Sequence, residues 1–433
     1  GIVTLSGLVD NIRAKDRSRA IAETVRGVRS VVNTISVNPR KRSDTAIERD
    51  IAKALLYDPA TESFKITVNV DDGVATLKGK LESWTEKRLA ESVTKGVDGI
   101  VAVKNELLVK PQYNRSDDEI KAEIERALQA DVWIDSMLMK VSVKDGDVHL
   151  SGAAGSAAER TRAYNASWIN GVKSVDNSDL EVKWWARERM QRKSKVANIS
   201  DVEIKRSIKD AFLYDLRVHS YNPDIAVDNG VVTLSGEVHD LAAKRAAEQD
   251  ARNTFGVVRV NNYLRVRPKI LLVDADLIER VDNRLTWDAD LEANDSITPV
   301  ARNGEVSLYG TVDTYFEKWH AEDVTSRVGG VVAVKNYLTV RERWAPKPDP
   351  TIKAEIDSEL YWSPFVDSDE VKVTVNAGTA TLKGTVDTWR ERFAAVENAY
   401  EGGARVVNDQ IKVNQGARSF LPSYSPYQYQ YYG

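Results

Sequence analysis

Apolar residues fall along this chain in two alternating rhythms. Strict alternation over 65–70 (KITVNV) and 371–375 (VKVTV) predicts strands with one buried and one wet face. Turn signals end these runs: Asp71-Asp72-Gly73, Asp145-Gly146, Asp228-Asn229-Gly230 and Asn303-Gly304. Asp-Gly and Asn-Gly supply the positive φ angles of tight hairpins. Alternation then resumes at Val148 and Leu150, Val232 and Leu234, and Val306 and Leu308. Elsewhere the apolar spacing is three and four, which predicts helices over 43–57, 116–130, 200–213, 274–285 and 349–360. Ser116 with Glu119 and Ser200 with Glu203 read as capping-box starts. A second helix, such as 84–95 or 242–253, leads to a last strand such as 101–109 or 258–266.

This order is written six times. The pattern G-x-x-x-L-x-G occurs as GIVTLSG (1–7), GVATLKG (73–79), GDVHLSG (146–152), GVVTLSG (230–236), GEVSLYG (304–310) and GTATLKG (378–384). Its closing glycine is expected to let the next helix approach the sheet. A second signature follows each copy, ending at Asn33, Asn105, Asn177, Asn262, Asn336 and Asn408. Two linked signatures in constant phase define a tandem repeat. Each unit reads helix, hairpin, crossover helix, strand (αββαβ), an α+β fold in which two helices cover one face of a small sheet.

The G-x-V-x-L-x-G hairpin and the later G-V-x-x-V-x-N-x-L strand resemble the BON domain. The resemblance covers five complete copies, 40–111, 112–183, 199–268, 269–342 and 343–415, and a partial copy, 1–39. It implies a bacterial envelope protein, periplasmic or at the cell surface, built from modules that contact phospholipid or protein and carry no catalysis. Residues 1–39 hold only the second half of a unit. Bare partners of a missing helix cost roughly 1.5–3 kcal/mol per large side chain. The half-unit is therefore expected to be completed by upstream sequence, in preference to elements from a neighbouring subunit.

Composition narrows the chemistry. The 433 residues are 42% apolar and 29% charged, with a net charge of −4, so no overall basic field favours nucleic acid. The absence of cysteine excludes disulfides, thiolate metal sites and cysteine nucleophiles. No run approaches the length of a membrane-spanning helix. His149, His219, His239 and His320 are scattered without metal-ligand or nucleophile spacing and read as surface or strand residues. The stretch 288–295 (DADLEAND) offers carboxylates but lacks the glycine and glutamate of a calcium loop, and is expected to be a solvated loop. No catalytic residue, cofactor, metal or small-molecule substrate is expected.

Candidate contacts lie outside the repeats. The linker 184–198 carries Trp184 and Trp185, then Arg187, Arg189, Arg192, Lys193 and Lys195. Indoles with cations suit a phospholipid headgroup layer or a partner protein, though a solvated linker whose Trp pair packs on adjacent repeats is the preferred account. The tail 416–433 carries Tyr424, Tyr427, Tyr429, Tyr431 and Tyr432, which provide contact area at little entropic cost and read either as part of a floppy tail or as candidate subunit contacts. An aromatic recurs near the end of the first helix, at Tyr57, Trp133, Tyr214, Trp287 and Trp362, and is expected to pack core or neighbouring repeats. Together these features lead to the expectation of a homo-oligomer or filament that also meets phospholipid surfaces. The alternative is a monomeric periplasmic osmotic-stress protein bound to anionic lipid.

Overall fold

In this computed structural model the described residues are 1–25, 27–61, 64–110, 115–131, 133–183, 185–186, 199–215, 217–218, 221, 223–268, 272–291, 297–341, 347–363 and 366–413. We number the repeats 1 to 6 in chain order. Repeat 2 shows the pattern: first helix Asp44–Tyr57, hairpin strands Ile66–Asp71 and Val74–Leu81, second helix Trp84–Lys95, and last strand Ala102–Asn105 continued by Leu108–Val109. The second hairpin strand is central. It pairs antiparallel with the first, Val68 opposite Leu77, and parallel with the last, Leu77 opposite Asn105. Repeats 3, 4, 5 and 6 repeat this α+β arrangement.

The alternation places the core. Ala75 and Leu77 point under the helices and meet Ile47, Ile51 and Ala54, all at 0–1% exposure. Four further cores of the same composition are centred on Leu150, Leu234, Leu308 and Leu382. Several helix starts are fixed locally, whereas those at Asp274 and Asp349 have no side-chain cap. Ser116 and Ser200 cap their helices with Glu119 and Glu203 in reciprocal capping boxes, which satisfies amide donors that a helix start leaves free.

Each hairpin turn is held by the helix before it. Asp72, Asp145, Asn229 and Asn303 adopt φ of 47–54°, the left-handed region that Asp, Asn and Gly tolerate best. Ala377 takes the same place in repeat 6 at φ 48°. The opening aspartate of the first helix accepts the turn amides: Asp117 from Asp145 (2.7 Å) and Gly146 (2.8 Å), and Asp349 from Ala377 and Gly378 (both 2.8 Å). Asp44 and Asp201 do the same in their repeats, and Asp274 accepts from the Asn303 amide (2.8 Å).

The closing glycine acts differently from the sequence expectation, and the last-strand asparagine has a structural role of its own. The closing glycine accommodates the hairpin's first strand, not a helix. A Cβ at Gly79 would lie 2.5 Å from the Lys65 carbonyl oxygen, and Gly152 and Gly384 face the Leu138 and Glu370 carbonyls in the same way. The last-strand asparagine ties strand to second helix: Asn105 Nδ2 donates to the Lys87 carbonyl (3.0 Å) and its Oδ1 accepts from the Leu107 amide (3.3 Å). In repeat 6 this place belongs to Asp409, not Asn408. Asp409 is the residue opposite Leu382; it accepts from the Ile411 amide (3.0 Å) and pairs with Arg392 (2.6 Å).

Repeat 1 is the half-unit the sequence indicates. Ile2–Leu5 pairs parallel with Ser30–Asn33 beside the helix Ile12–Thr24. Val3 and Leu5 are half-buried where Ala75 and Leu77 are sealed, and Ile2 is exposed.

Repeats distant in sequence are hydrogen-bonded through their backbones. Val97 of repeat 2 bridges Asp288 of repeat 5. Around it the Asp98 amide donates to the Trp287 carbonyl (2.8 Å) and the Ala289 amide to the Gly96 carbonyl (3.1 Å). The same pair is closed on its other side by the Gly329 amide donating to the Tyr57 carbonyl (3.3 Å). Repeats 3 and 4 meet likewise through Asp131 and Thr254.

Candidate functional site

The helix ends that form these bridges also collect charge. Trp287 closes the helix Asp274–Thr286, and its indole is buried under Lys53 of repeat 2, whose ammonium lies 5.1 Å from the ring centroid. Reciprocally, Arg280 of repeat 5 lies 5.0 Å from the Tyr57 ring of repeat 2. Trp133 of repeat 3 joins Phe255 of repeat 4 in the core cluster of repeat 6. The recurring aromatic therefore packs between repeats at Tyr57, Trp133 and Trp287. Trp362 is exposed instead, and the Tyr214 side chain lies outside the described residues.

Just beyond Trp287, Asp288 and Asp290 are buried at 2% and 7% exposure. For 288–291 this corrects the expectation of a solvated loop, while 292–295 lie outside the described residues. The backbone bridge to Val97 draws the segment inside, and Arg13 of repeat 1 follows it, 3.4 Å from Asp288 and 3.3 Å from Asp290. Asn11 adds a hydrogen bond to the Ala289 carbonyl (2.8 Å). His320, on the second helix of repeat 5, lies 2.6 Å from Asp288 Oδ1. It is a helix residue at an inter-repeat junction and not the surface or strand residue expected. Burial alone would raise the Asp288 carboxyl. The hydrogen bond and charge of His320, with Arg13 and Arg284, outweigh it and hold the group well below the usual carboxylate range.

Asp288, Asp290 and His320 bring donor atoms within 4.8 Å of one another. Arg13 already supplies both carboxylates with the positive charge that a metal ion would bring, so these residues fit an ion-pair network and not a metal centre. The remaining histidines stay apart. His149 lies on a strand near Asp176 and Asp179, His239 bonds the Arg267 carbonyl, and His219 lies outside the described residues.

A second charged junction joins repeats 2, 4 and 5. Asp58 and Asp240 are buried there beside Arg217 and Arg327, around a cavity of about 40 Å³. Tyr221 donates to Asp240 (2.9 Å). Burial pushes the carboxyls of Asp58 and Asp240 up against these partners. A wider groove of about 780 Å³ runs between repeats 2, 3 and 4. At its edge Trp84 packs on Trp168, centroids 4.3 Å apart, and donates to the Val172 carbonyl (2.8 Å).

Among the described residues the outward sheet faces are mostly polar, and that of repeat 5 carries a stacked aromatic pair. On repeat 5, Tyr309 and Tyr337 stack at 5.2 Å and 13° from neighbouring parallel strands, and both rings are about half exposed. Val300, from the first hairpin strand of this sheet, is also exposed. Neither signature of the repeat contains a rule for this pair. The tyrosines at 309 and 337 stand where repeat 2 carries Lys78 and Glu106, and comparing the copies position by position would have found them.

Of the contact residues expected from sequence, Trp184, Arg187, Arg189, Arg192, Lys193 and Lys195 lie outside the described residues, as do Tyr424, Tyr427, Tyr429, Tyr431 and Tyr432. Trp185 is described and half-buried.

Similarity to known proteins agrees with this construction. Over 147 residues the chain is 37% identical to osmotically-inducible protein Y of Escherichia coli, which covers 32% of this chain and 73% of that protein. It is 31% identical over 141 residues to the outer membrane lipoprotein DolP of Haemophilus influenzae, covering 31% and 72%. It is 32% identical over 143 residues to a 21 kDa hemolysin of Actinobacillus pleuropneumoniae, covering 32% and 72%. Each match has the length of about two repeats. The BON domain itself matches at residues 1–39, 43–111, 116–183, 200–268, 273–342 and 348–415, and the chain belongs to the BON domain family.

Proposed function

We propose that this protein is a non-catalytic component of the bacterial cell envelope whose BON repeats serve as packing and docking surfaces, and that it assembles with copies of itself. Its placement in the envelope follows its likeness to an outer membrane lipoprotein. The observation that carries the assembly reading is the stacked Tyr309–Tyr337 pair, standing on a sheet face that the two helices of the repeat leave open. Exposed aromatics grouped with an apolar neighbour are characteristic of protein contacts. The charged junctions between repeats serve as internal cement, because most of their acids and bases are engaged with one another.

Light scattering coupled to size-exclusion chromatography tests this. Wild-type protein is expected to run at multiples of 48.3 kDa that grow with concentration, while Tyr309→Ser/Tyr337→Ser remains at the monomer mass. A wild-type monomer at every concentration sinks the proposal. The second reading, a monomer on anionic phospholipid, is favoured by the same lipoprotein relative. It requires vesicle binding that Trp184→Ala/Trp185→Ala abolishes.

A further inference from the structure

The junction of repeats 1, 2 and 5 holds a charge that the packing leaves unused. Arg284 lies in the last turn of the helix Asp274–Thr286 and is 4% exposed. Its Nη1 is buried without a hydrogen-bond partner, and none of the ion pairs found among the described residues includes its guanidinium. Burial pushes the group below its usual range, with the nearby Asp288 carboxylate opposing this only in part. A buried ion without a partner is strongly unfavourable, and in a native fold it calls for a ligand or ion that completes it.

Arg284 lines a cavity of about 470 Å³ whose walls also carry Arg13, Arg17, Arg88, Lys95 and Arg327. These six cations share four carboxylates on the walls and Asp288 behind Arg13, so positive charge is in excess. The carboxylates are already taken. Asp290 pairs with Arg13 (3.3 Å) and Arg17 (3.7 Å), Asp16 and Glu91 with Lys95 (both 2.9 Å), and Asp323 with Arg327 (2.7 Å). Arg88 donates to the Asn165 carbonyl (2.9 Å) and pairs with no carboxylate among the described residues. One guanidinium, Arg284, therefore remains without a hydrogen bond on this cavity, and a second, Arg88, remains without a carboxylate. Planar guanidinium forks match the oxygens of phosphate in pairs, and the excess of positive charge suits an anion.

We propose that the cavity between repeats 1, 2 and 5 binds a phosphate-class anion, with Arg284 as its buried anchor and Arg88 as a second contact. The volume exceeds that of inorganic phosphate and leaves room for a substituent, so the phosphate belongs to a free monoester or to a lipid headgroup. The site is independent of whether the protein assembles through Tyr309 and Tyr337.

The test uses the full chain. Isothermal titration calorimetry with inorganic phosphate is expected to show saturable binding, and the thermal midpoint is higher in phosphate than in chloride of equal ionic strength. Arg284→Met weakens phosphate binding by about tenfold or more, while its midpoint in chloride is unchanged or raised, because the substitution removes an unpartnered buried charge. Should that variant fail to fold, Arg88→Gln, which alters a solvent-exposed side chain, reports a smaller loss of binding in the same titration. Vesicles containing phosphatidic acid separate the two sources. Sedimentation with vesicles that inorganic phosphate reverses assigns a lipid headgroup, whereas phosphate binding without sedimentation assigns a free phosphate. No heat with phosphate together with equal midpoints in the two salts overturns the site, as does undiminished binding by folded Arg284→Met or, in its place, by Arg88→Gln.

Discussion

At Asp250, on the second helix of repeat 4, one carboxyl oxygen is buried without a hydrogen bond. Burial and the adjacent Asp215 carboxylate push the Asp250 carboxyl well up. A carboxyl raised in the folded state binds its proton more tightly there than in the unfolded chain, so stability falls as pH rises from the ordinary carboxylate range, about 4, through the folded value. Asp250→Asn removes that loss and gives an amide that donates to Asp215. Thermal melts are expected to place the variant above wild type at pH 7.5, with the two converging near pH 4. A wild-type advantage at pH 7.5 would refute the assignment. The carboxylate Asp288 behaves in the opposite sense. Its folded value lies below the ordinary range, and the stability it contributes is complete at neutral pH and is lost progressively as pH falls from about 4 towards the folded value.

The hairpin is the element on which each repeat depends, and the closing glycines rank its tolerance. At Gly384, φ 157°, an added Cβ would collide with the Glu370 carbonyl, which is backbone and cannot step aside. At Gly236, φ 112°, the nearest atom is the Asp224 amide nitrogen at 3.9 Å. Gly384→Ala is therefore expected to cost about 2–4 kcal/mol, and Gly236→Ala only the conformational strain of about 1–2 kcal/mol. Urea unfolding of the two variants should reproduce that order. Much of this element was legible in the sequence. The Asp-Gly and Asn-Gly turns, the alternation and the capping boxes are local rules read within a few residues. The role of the glycine was not legible, because the carbonyl it avoids lies on the other strand of the hairpin. The aspartate that grips the turn from the first helix was hidden for the same reason, since its partners lie 28–29 residues away.

For the molecule as a whole, the contacts between repeats are as charged as the cores within them are apolar. Arg13 reaches from repeat 1 to both buried aspartates of repeat 5 with its side chain 18% exposed. Removing one partner of a buried pair strands the other, at a cost of about 3–5 kcal/mol. Arg13→Gln is expected to lose about 3 kcal/mol in urea unfolding. Hydrogen exchange should quicken first in Ile12–Thr24 and around Asp288, with the sheet of repeat 6 unchanged. Uniform loosening across all repeats would contradict the assignment of Arg13 to the repeat 1–5 junction.

The sequence by itself determined the unit, its six copies and the inward face of each strand, because hairpins, caps and amphipathic periods depend on neighbours close along the chain. Only the tertiary structure decided that Asp288 and Asp290 are interior, that His320 meets them, that Tyr309 stacks on Tyr337, and that Arg284 faces a cavity uncompensated. Those facts depend on which copies of the repeat touch. Copies built from one pattern present nearly the same signal, so the choice among them rests on charges and helix ends hundreds of residues apart, which no local period encodes.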